Sequence, residues 1–457
     1  MAKRYVQAIT EESVIFLSIF KWVGLSTAVG ILVGLSTTFF LKTLHFALNY
    51  TSQYSHYFLF LPIALFLSVL AIHYISPDSE GHGTEKVIWA VHKRLGKMRF
   101  RVVPIKLLAT VVTIMFGGSA GKEGPAAQIG GALASAFSDL FRFAKAERRK
   151  LVICGISAGF AAVFGTPIAG AIFGVEVLFV GGLLYDVLLP SLVAGMVSYQ
   201  IASMFGVTYS YHPITFSTHF DPLFFLKVVA AGIFFGLVAI LFIEVMKWTG
   251  SISEKITIWP PLKGLIGGTL LVGIALTFSP DYLNLGLPMI DKALLGEHII
   301  WYAFIIKIIA TAITLSFGGS GGVLTPLFFV GATSGTFIAS VFNMDSASFA
   351  AIGMVSLLAG AANTPISASI LAVELFGPSV APYATICCVV CFLMTGYRSV
   401  FPSQVISTNK APSVVVKSGS DMDCIEPQID YHTKRNIASG RSVAKRIKRR
   451  LRHIRIL

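Results

Sequence analysis

Long apolar segments, interrupted by glycine and proline, recur along almost the whole chain and limit what it can fold into. Of its 457 residues, 55% are hydrophobic and only 13% are charged, and the mean hydropathy is +0.76. Soluble proteins average about 25% charged residues, so this composition cannot build a water-facing surface of ordinary extent. The surplus apolar surface predicts an integral, multi-pass membrane protein embedded in a lipid bilayer.

The apolar segments are unequal in length. A straight membrane span needs about 20 apolar residues, whereas Val102–Phe116 is shorter and Phe349–Phe376 is longer and contains Gly and Pro. Irregular backbone at membrane depth survives only where it is buried in protein or lines a polar cavity. We therefore expect an all-α membrane protein of tilted, broken helices around a transport pathway. The transmembrane domain is assigned to 14–402, between an N-terminal segment, 1–13, and a basic tail, 403–457.

The net charge of +14 is concentrated in a few segments. Lys86–Arg101, Arg142–Lys150 and the tail from Lys434 to Arg455 carry much of it, and basic loops tend to stay in the cytoplasm. We expect both termini to be cytoplasmic. Nucleic-acid binding is not expected, because no aromatic or base-reading pattern accompanies the charge. A tail helix with one apolar stripe would suit an anionic membrane surface, although a solvated tail fits equally well; the stripe is Val443, Ile447, Leu451 and Ile454.

The strongest internal signal is a duplication. The segment Gly117–Pro125, which reads Gly-Gly-Ser-Ala-Gly-Lys-Glu-Gly-Pro, has a counterpart 201 residues later in Gly318–Pro326. The segment Thr166–Glu176 recurs 198 residues later as Thr364–Glu374. Two pairs in one register predict two inverted repeats, and transporters built in this way place their site at the repeat interface. The halves are assigned to about 14–205 and 224–402.

Each copy of the first motif runs into a helix. Pro125 suits a first helical turn, so a helix should begin near Glu123 and run to Phe141, and the second copy should do the same at Val323 and Leu324. Helix N-termini carry free N–H groups and about half a positive charge, so two of them aimed at one point form an anion site made of backbone. Glycines in these breaks allow the backbone to approach a ligand closely. The other residues expected to line the site are Gly121, Lys122, Gly124 and Gly322.

Glu123 is the candidate gate. A carboxylate in an apolar region is costly and usually functional, and at a helix N-terminus it imitates an anion. At about 4 Å from a permeant anion, with an effective dielectric constant near 20, repulsion amounts to about 4 kcal/mol. Ionised Glu123 should therefore compete with the anion, and protonated Glu123 should let it pass. The alternative is a simple helix cap.

A third break lies at Ser76–Lys86. Its core, Gly81-His82-Gly83-Thr84, precedes an expected helix that runs through His92. We assign His82 and Gly83 to the anion site, with an ordinary capped loop as the alternative.

These motifs resemble those of the CLC family of chloride channels and proton–chloride antiporters, over roughly residues 15 to 410. Gly121–Pro125 looks like the family's Gly-Arg-Glu-Gly-Pro, whose Glu is the external gate, which implies that Glu123 has this role. Gly322–Pro326 is similar to its Gly-X-Phe-X-Pro, whose backbone N–H groups hold the anion. The resemblance implies chloride as the bound ion, no other cofactor, and a homodimer with one pathway in each subunit. The tail is too short for the regulatory nucleotide-binding modules of many eukaryotic members, which favours a prokaryotic type in a bacterial or archaeal inner membrane.

Three positions depart from the family pattern. His82 stands where the family has an anion-binding Ser, and an imidazole can also donate to an anion or change charge near pH 6.5. Phe401 falls at the place of the family's central Tyr and lacks its hydroxyl. Val177 replaces the internal Glu that relays the proton in well-known antiporters. Glu176 is expected to support structure, because Glu374 repeats it.

Several functions are compatible with these motifs. Val177 favours a passive or weakly coupled chloride conductor, and Glu123 is compatible with a proton–chloride antiporter. Fluoride and nitrate rank lower, since fluoride-specific members usually alter the Pro that is intact here at Pro125. An intramembrane serine hydrolase is the alternative from another class, because Ser119 and Ser320 each lie in a Gly-X-Ser-X-Gly pattern. Its base would have to be a histidine of the apolar segments, and neither His45 nor His73 carries a pairing motif.

Overall fold

The structure is a computed structural model that describes residues 2–209, 211–214, 222–411, 414–424 and 428–429. The predicted apolar stripe of the tail, from Val443 to Ile454, lies outside the described residues. Within the described residues the chain forms sixteen α-helices: α1 (Ala2–Thr51), α2 (Leu61–Ile75), α3 (Thr84–Lys93), α4 (Val102–Met115), α5 (Glu123–Leu140), α6 (Lys145–Phe164), α7 (Pro167–Glu176), α8 (Tyr185–Met204), α9 (Pro222–Lys255), α10 (Pro260–Thr277), α11 (Leu287–Leu294), α12 (Ala303–Ser316), α13 (Leu324–Phe342), α14 (Ser346–Ala362), α15 (Pro365–Phe376) and α16 (Ala381–Thr395).

Short strands tie the segment after α16 to the helical body. Strand β1 (Phe179–Val180) pairs in parallel with β2 (Val405–Ile406), with Phe179 opposite Val405. Strand β3 (Val414–Val415) pairs antiparallel with β4 (Gln428–Ile429). The chain that follows the last membrane helix therefore packs back against the end of α7.

The long apolar stretches are divided into separate helices, as their Gly and Pro residues predicted. The apolar stretch from Leu151 to Val180 divides into α6 and α7 at Gly165, which has a left-handed φ of 72°. The corresponding stretch in the second half divides into α14 and α15 at Asn363, with φ 58°. Proline opens the following helix in both cases, at Pro167 and Pro365, because its fixed φ suits the first turn.

Among the described residues, seven helices are long and apolar enough to cross a membrane: α1, α8, α9, α10, α13, α2 with the turn before it, and α16 with the turn before it. Their burial separates the centre from the periphery. In the apolar stretch of α13, 83% of the residues are buried, whereas in that of α1 only 17% are buried. Helix α13, which carries the second anion motif, therefore lies in the centre, and α1 presents most of its surface outward. Helix α1 begins at Ala2, so the predicted N-terminal segment continues directly into the first apolar stretch.

The two halves repeat each other element by element. Helices α4, α5, α6 and α7 recur in the same order as α12, α13, α14 and α15, at the spacings of the duplicated motifs. The halves also exchange helix caps. Glu176 accepts hydrogen bonds of 3.0 and 2.8 Å from the N–H groups of Ile366 and Ser367 at the start of α15. Glu374 does the same, at 3.0 and 2.8 Å, for the first turn of α7. This reciprocal capping is a physical reason for the structural role that the sequence predicted for Glu176.

Two fully buried lysines occupy equivalent places in the repeats. Lys106 of α4 donates to the carbonyl oxygen of Ser79 at 3.1 Å and to that of Gly81 at 2.5 Å. Lys307, at the equivalent position of α12, donates to the three successive carbonyls of residues 282–284 at 2.8 to 3.3 Å. A buried ammonium group needs such partners, and each lysine thereby fixes the loop that precedes α3 or α11.

Candidate anion site

The two glycine-rich breaks meet in the centre of the molecule. The N–H of Gly121 donates to the carbonyl of Gly322 at 2.7 Å, and the N–H of Gly322 donates back to Gly121 at 2.7 Å. Flanking contacts are reciprocal as well: the N–H of Ser119 donates to Thr314 Oγ1 at 3.0 Å, and that of Ser320 donates to Thr113 Oγ1 at 3.1 Å. The repeats therefore share a two-fold pseudosymmetry at this point, and the starts of α5 and α13 lie next to each other.

The third break packs directly against the first. Gly83 has a φ of 80°, and a Cβ added to it would lie 2.4 Å from the carbonyl oxygen of Gly124. A Cβ on Gly124 would in turn lie 2.1 Å from the carbonyl oxygen of His82. Both distances are far below contact, so this approach of backbone to backbone requires glycine at both positions. The start of α3 thus joins those of α5 and α13.

His82 and Phe401 form a pair beside this junction. Their ring centroids are 5.7 Å apart, and the Phe401 ring is fully buried. His82 Nδ1 is buried, and no hydrogen-bond partner for it exists among the described residues. A buried ring nitrogen without a partner is costly, so an anion or water in the site would be a suitable partner for it.

Glu123 is the first residue of α5, and its side chain lies at the N-terminus of α13. Its side chain is buried, with 1% of the residue exposed. One carboxylate oxygen accepts from the N–H of Thr325 at 3.2 Å, and the other accepts from Thr325 Oγ1 at 2.5 Å. A Cβ on Gly121 would lie 2.4 Å from Glu123 Oε2, so the glycine makes room for the acid. Val323, the N-cap of α13, and Leu324, its first residue, are both 1% exposed.

A large cavity leads to this acid. It has a volume of about 540 Å³, and Lys122 and Glu123 line it together. Polar side chains around it include Lys42, His45 and His212, and His212 Nε2 lies 3.7 Å from Asp291 Oδ1. Among the described residues, no group of three or more His, Cys, Asp or Glu side chains could hold a metal ion. The cavity therefore opens onto residues that the sequence predicted for the anion site.

Comparison with known proteins identifies the family. A family model described as voltage gated chloride channel matches residues 64–396. A chloride/fluoride channel protein of Pseudomonas syringae pv. tomato is 36% identical over 397 residues, which cover 85% of this chain and 87% of that protein. The chain belongs to the CLC family of chloride channels and transporters.

Two further relatives show the range of the family. The proton/chloride exchange transporter of Klebsiella pneumoniae is 25% identical over 388 residues, covering 77% of this chain and 80% of the relative. The crystal structure of a CLC-type fluoride/proton antiporter matches with a TM-score of 0.82 and 29% identity, covering 86% of this chain and 99% of that one. The CLC fold predicted from the motifs is confirmed, and the chain is an integral membrane protein of anion transport.

Membership of the CLC family also excludes the hydrolase alternative, and the geometry gives the reason. Ser119 Oγ shares a hydrogen bond of 3.0 Å with Thr311 Oγ1, and Ser320 Oγ shares one of 2.9 Å with Thr110 Oγ1. Each hydroxyl therefore has a threonine partner, where a nucleophile would need a base. The ring of His45 is paired with Asn49, four residues away on the same helix. These serines are structural, and the protein is not an enzyme.

Position 177, where the resemblance places the internal acid of well-known antiporters, has no titratable group. Val177 is fully buried, and its carbonyl accepts a hydrogen bond of 2.8 Å from Gln404 Nε2. Gln404 also donates to Ala362 and accepts from Asn363 at 2.9 Å and Ser399 at 2.6 Å. This network joins α7, α14 and the segment after α16.

Sequence reasoning missed Thr325 as the partner of Glu123. It also missed a third repeated motif, since Ser76-Pro-Asp recurs at Ser279-Pro-Asp, and Gly83 and Gly286 follow with positive φ in both copies. The offset of 201 residues between the two glycine-rich breaks also relates Lys106 to Lys307. Comparison of the two halves at this offset along the whole chain would therefore have found both lysines.

Proposed function

We propose that this protein carries a small halide, chloride foremost, across the bilayer through a site formed by the starts of α3, α5 and α13, with Glu123 as its gate. One observation carries the proposal: the Glu123 carboxylate lies on the N–H and hydroxyl of Thr325 at the N-terminus of α13. A helix N-terminus is a ready anion site, and here an anionic side chain of the protein occupies it.

The carboxylate and the halide compete for the same donors. A halide that approached within about 4 Å of the ionised acid would meet repulsion of about 4 kcal/mol at an effective dielectric constant near 20. Protonation removes that charge and turns one carboxylate oxygen into a donor. The acid then no longer holds the place of an anion, and a halide from the cavity beside Lys122 can enter.

Fluoride is the second candidate substrate. It ranks low on the sequence motifs alone, because Pro125 is intact. However, two similar proteins are named for fluoride, one as a chloride/fluoride channel and one as a fluoride/proton antiporter. His82 and Phe401 also replace both family side chains that carry hydroxyls at the site, so the donors beside the anion differ from those of a typical chloride site.

Coupling to protons is the second open feature. Val177 favours passive or weakly coupled flux, whereas the relatives named as antiporters favour exchange with protons. Glu123 serves either mode, since a protonatable gate is needed for exchange and also suffices for pH-dependent conduction.

The basic segments of the chain indicate its orientation in the membrane. The basic segments Lys86–Arg101 and Arg142–Lys150 meet at one end of the molecule, where a Cβ on Gly96 would lie 3.2 Å from Arg149 Cα. We place this end in the cytoplasm, which puts the large cavity beside Glu123 on the outside. A homodimer in a prokaryotic inner membrane, with both termini inside, is the expected assembly.

Purified protein in liposomes tests the proposal, with halide efflux and proton movement followed together. Glu123→Gln and Glu123→Ala should retain halide efflux while its dependence on pH is lost. Glu254→Gln, which changes an exposed acid at the end of α9, is the matched control and should behave as wild type. Efflux that stays equally pH-dependent in both Glu123 variants would refute the gate, and wild-type protein that moves neither chloride nor fluoride would refute the function.

A further inference from the structure

A second acid, Glu85, is half-buried beside the anion site. It belongs to the first turn of α3, two residues after Gly83. One of its oxygens, Oε1, accepts hydrogen bonds from the N–H of Ser403 at 3.0 Å and from Ser403 Oγ. The other oxygen, Oε2, is buried without a hydrogen-bond partner among the described residues.

An ionised carboxylate oxygen that is buried without a donor is unfavourable. Ser403 donates hydrogen bonds to Oε1 of Glu85, whereas Oε2 has no donor to stabilise a negative charge. Protonation of the acid removes that charge. Glu85 is therefore suited to taking up and releasing a proton. Glu176 and Glu374 are not, because both oxygens of each acid accept hydrogen bonds from a helix N-terminus.

Glu85 also faces a different aqueous space from Glu123. It lines a cavity of about 200 Å³ that includes Arg94 and Lys97. This cavity lies towards the start of α6, near Arg149. The large cavity beside Glu123, which we call the outer cavity, is lined by Val163 and Phe164 at the other end of α6. Helix α6 has 20 residues, so these ends are about 30 Å apart at about 1.5 Å per residue. The charged groups around Glu85 are Lys86 and Asp423, with Asp78, Arg94, Lys97 and Arg99 on the cavity wall.

A short series of contacts joins the two acids. Glu85 holds Ser403, which is two residues from Phe401, and the Phe401 ring lies 5.7 Å from that of His82. The His82 carbonyl touches the backbone of Gly124, next to Glu123. The buried, unpaired Nδ1 of His82 lies between the acids in this series.

We propose that Glu85 is the inner proton donor and acceptor of the transport cycle, the role for which position 177 carries no acid. The inference rests on the proposed function and specifies its proton-coupled form. The O–H bond of protonated Glu85 breaks and an O–H bond forms on Glu123. Glu85 becomes a carboxylate that is protonated again from the inner cavity, and Glu123 becomes a neutral acid that yields its place to the halide.

The test measures protons moved per halide in liposomes under an imposed proton gradient. In Glu85→Gln this ratio should fall about tenfold or more, because a positioned acid–base group contributes about 100-fold or more to proton transfer. Glu85→Asp keeps a carboxyl group and should retain coupling. Glu80→Gln, which alters an exposed acid of the same loop, should leave both fluxes as in wild type.

Ser403→Ala separates proton transfer from a structural role. It removes the hydroxyl donor to Glu85 but keeps the acid and the backbone N–H, so coupling should persist. A loss equal to that in Glu85→Gln would assign Glu85 to structure and overturn the inference. An unchanged ratio in Glu85→Gln, or wild-type halide flux with no proton movement, would overturn it while leaving the proposed function intact. Absence of all halide flux would instead refute the proposed function.

Discussion

Thr325 offers the most direct test of competition between the gate and the halide. It supplies two donors to the Glu123 carboxylate, its N–H at 3.2 Å and its hydroxyl at 2.5 Å. Thr325→Val removes the hydroxyl, keeps the N–H and nearly preserves the shape of the side chain. A hydrogen bond to a charged group contributes about 1.5 to 3 kcal/mol, so the ionised acid should be held less firmly by that amount.

This loss converts into a measurable change in transport. At about 1.4 kcal/mol per factor of ten, the carboxylate should occupy the site about 10- to 100-fold less firmly. A halide that competes with it should then show an apparent affinity that is higher by up to the same factor, wherever Glu123 is ionised. Since the closed state is stabilised by that bond, flux should also persist to higher pH than in wild type.

The assay is halide efflux from liposomes, with the half-saturating halide concentration determined at several pH values. Thr333→Val is the matched control, because Thr333 is a buried threonine of the same helix whose hydroxyl donates to the Phe329 carbonyl at 2.8 Å. Thr325→Val should lower the half-saturating concentration at neutral pH, and Thr333→Val should not. An unchanged concentration and pH profile in Thr325→Val would refute the idea that the carboxylate and the halide share donors.

The repeats and the departures from the family pattern can be tested by substitution as well. Glu176→Gln and Glu374→Gln should each lower the free energy of unfolding by a similar amount, about 1 to 3 kcal/mol, because each acid caps two N–H groups of the other half; thermal unfolding in detergent measures this, and a clearly unequal pair would contradict reciprocal capping. His82→Ser should raise chloride efflux relative to fluoride and nitrate efflux, and an unchanged ranking of anions would assign His82 to packing. Lys106→Met and Lys307→Met should both reduce thermal stability, since backbone carbonyls lose a buried donor. Only Lys106→Met should also change the ranking of anions, because Lys106 holds the loop before His82; equal effects of both variants on anion ranking would contradict this.

The repeat register was enough to predict where the two glycine-rich breaks lie. Gly and Pro mark helix starts locally, so α5 was predicted to begin near Glu123 and it does. The break between α6 and α7 was not located in advance, although Gly165 and Pro167 mark it in the sequence. The matching spacing of the two motifs indicated that they share one place, because equivalent positions of an inverted repeat meet at its axis.

The side-chain partners within the site could not be predicted in the same way. The motif around Val323 and Leu324 pointed to backbone donors, and nothing in its spacing shows that the Thr325 hydroxyl reaches Glu123, 202 residues away. Glu85 was no easier to find, because its partner Ser403 is 318 residues away. Contacts of this range depend on how the helices pack, which periodicity and motif spacing do not specify.

The two-fold scaffold carries a site that is not two-fold. In the register that pairs the glycine-rich breaks, Glu123 corresponds to Leu324 and Gly124 to Thr325. Gly124 cannot bear a side chain, because the His82 carbonyl would lie 2.1 Å from its Cβ. In the second half, Gly286, the counterpart of Gly83, packs instead against the Phe329 ring, where its Cβ would lie 2.6 Å away. Thr325, the counterpart of Gly124, carries a hydroxyl that reaches across the axis to the acid of the pair. Two acids facing each other here would repel, whereas one acid and one donor can bind each other and separate. The repeat thus supplies two helix N-termini. In the proposed function, its departure from symmetry at neighbouring positions makes one of them a gate and the other the place that the gate occupies.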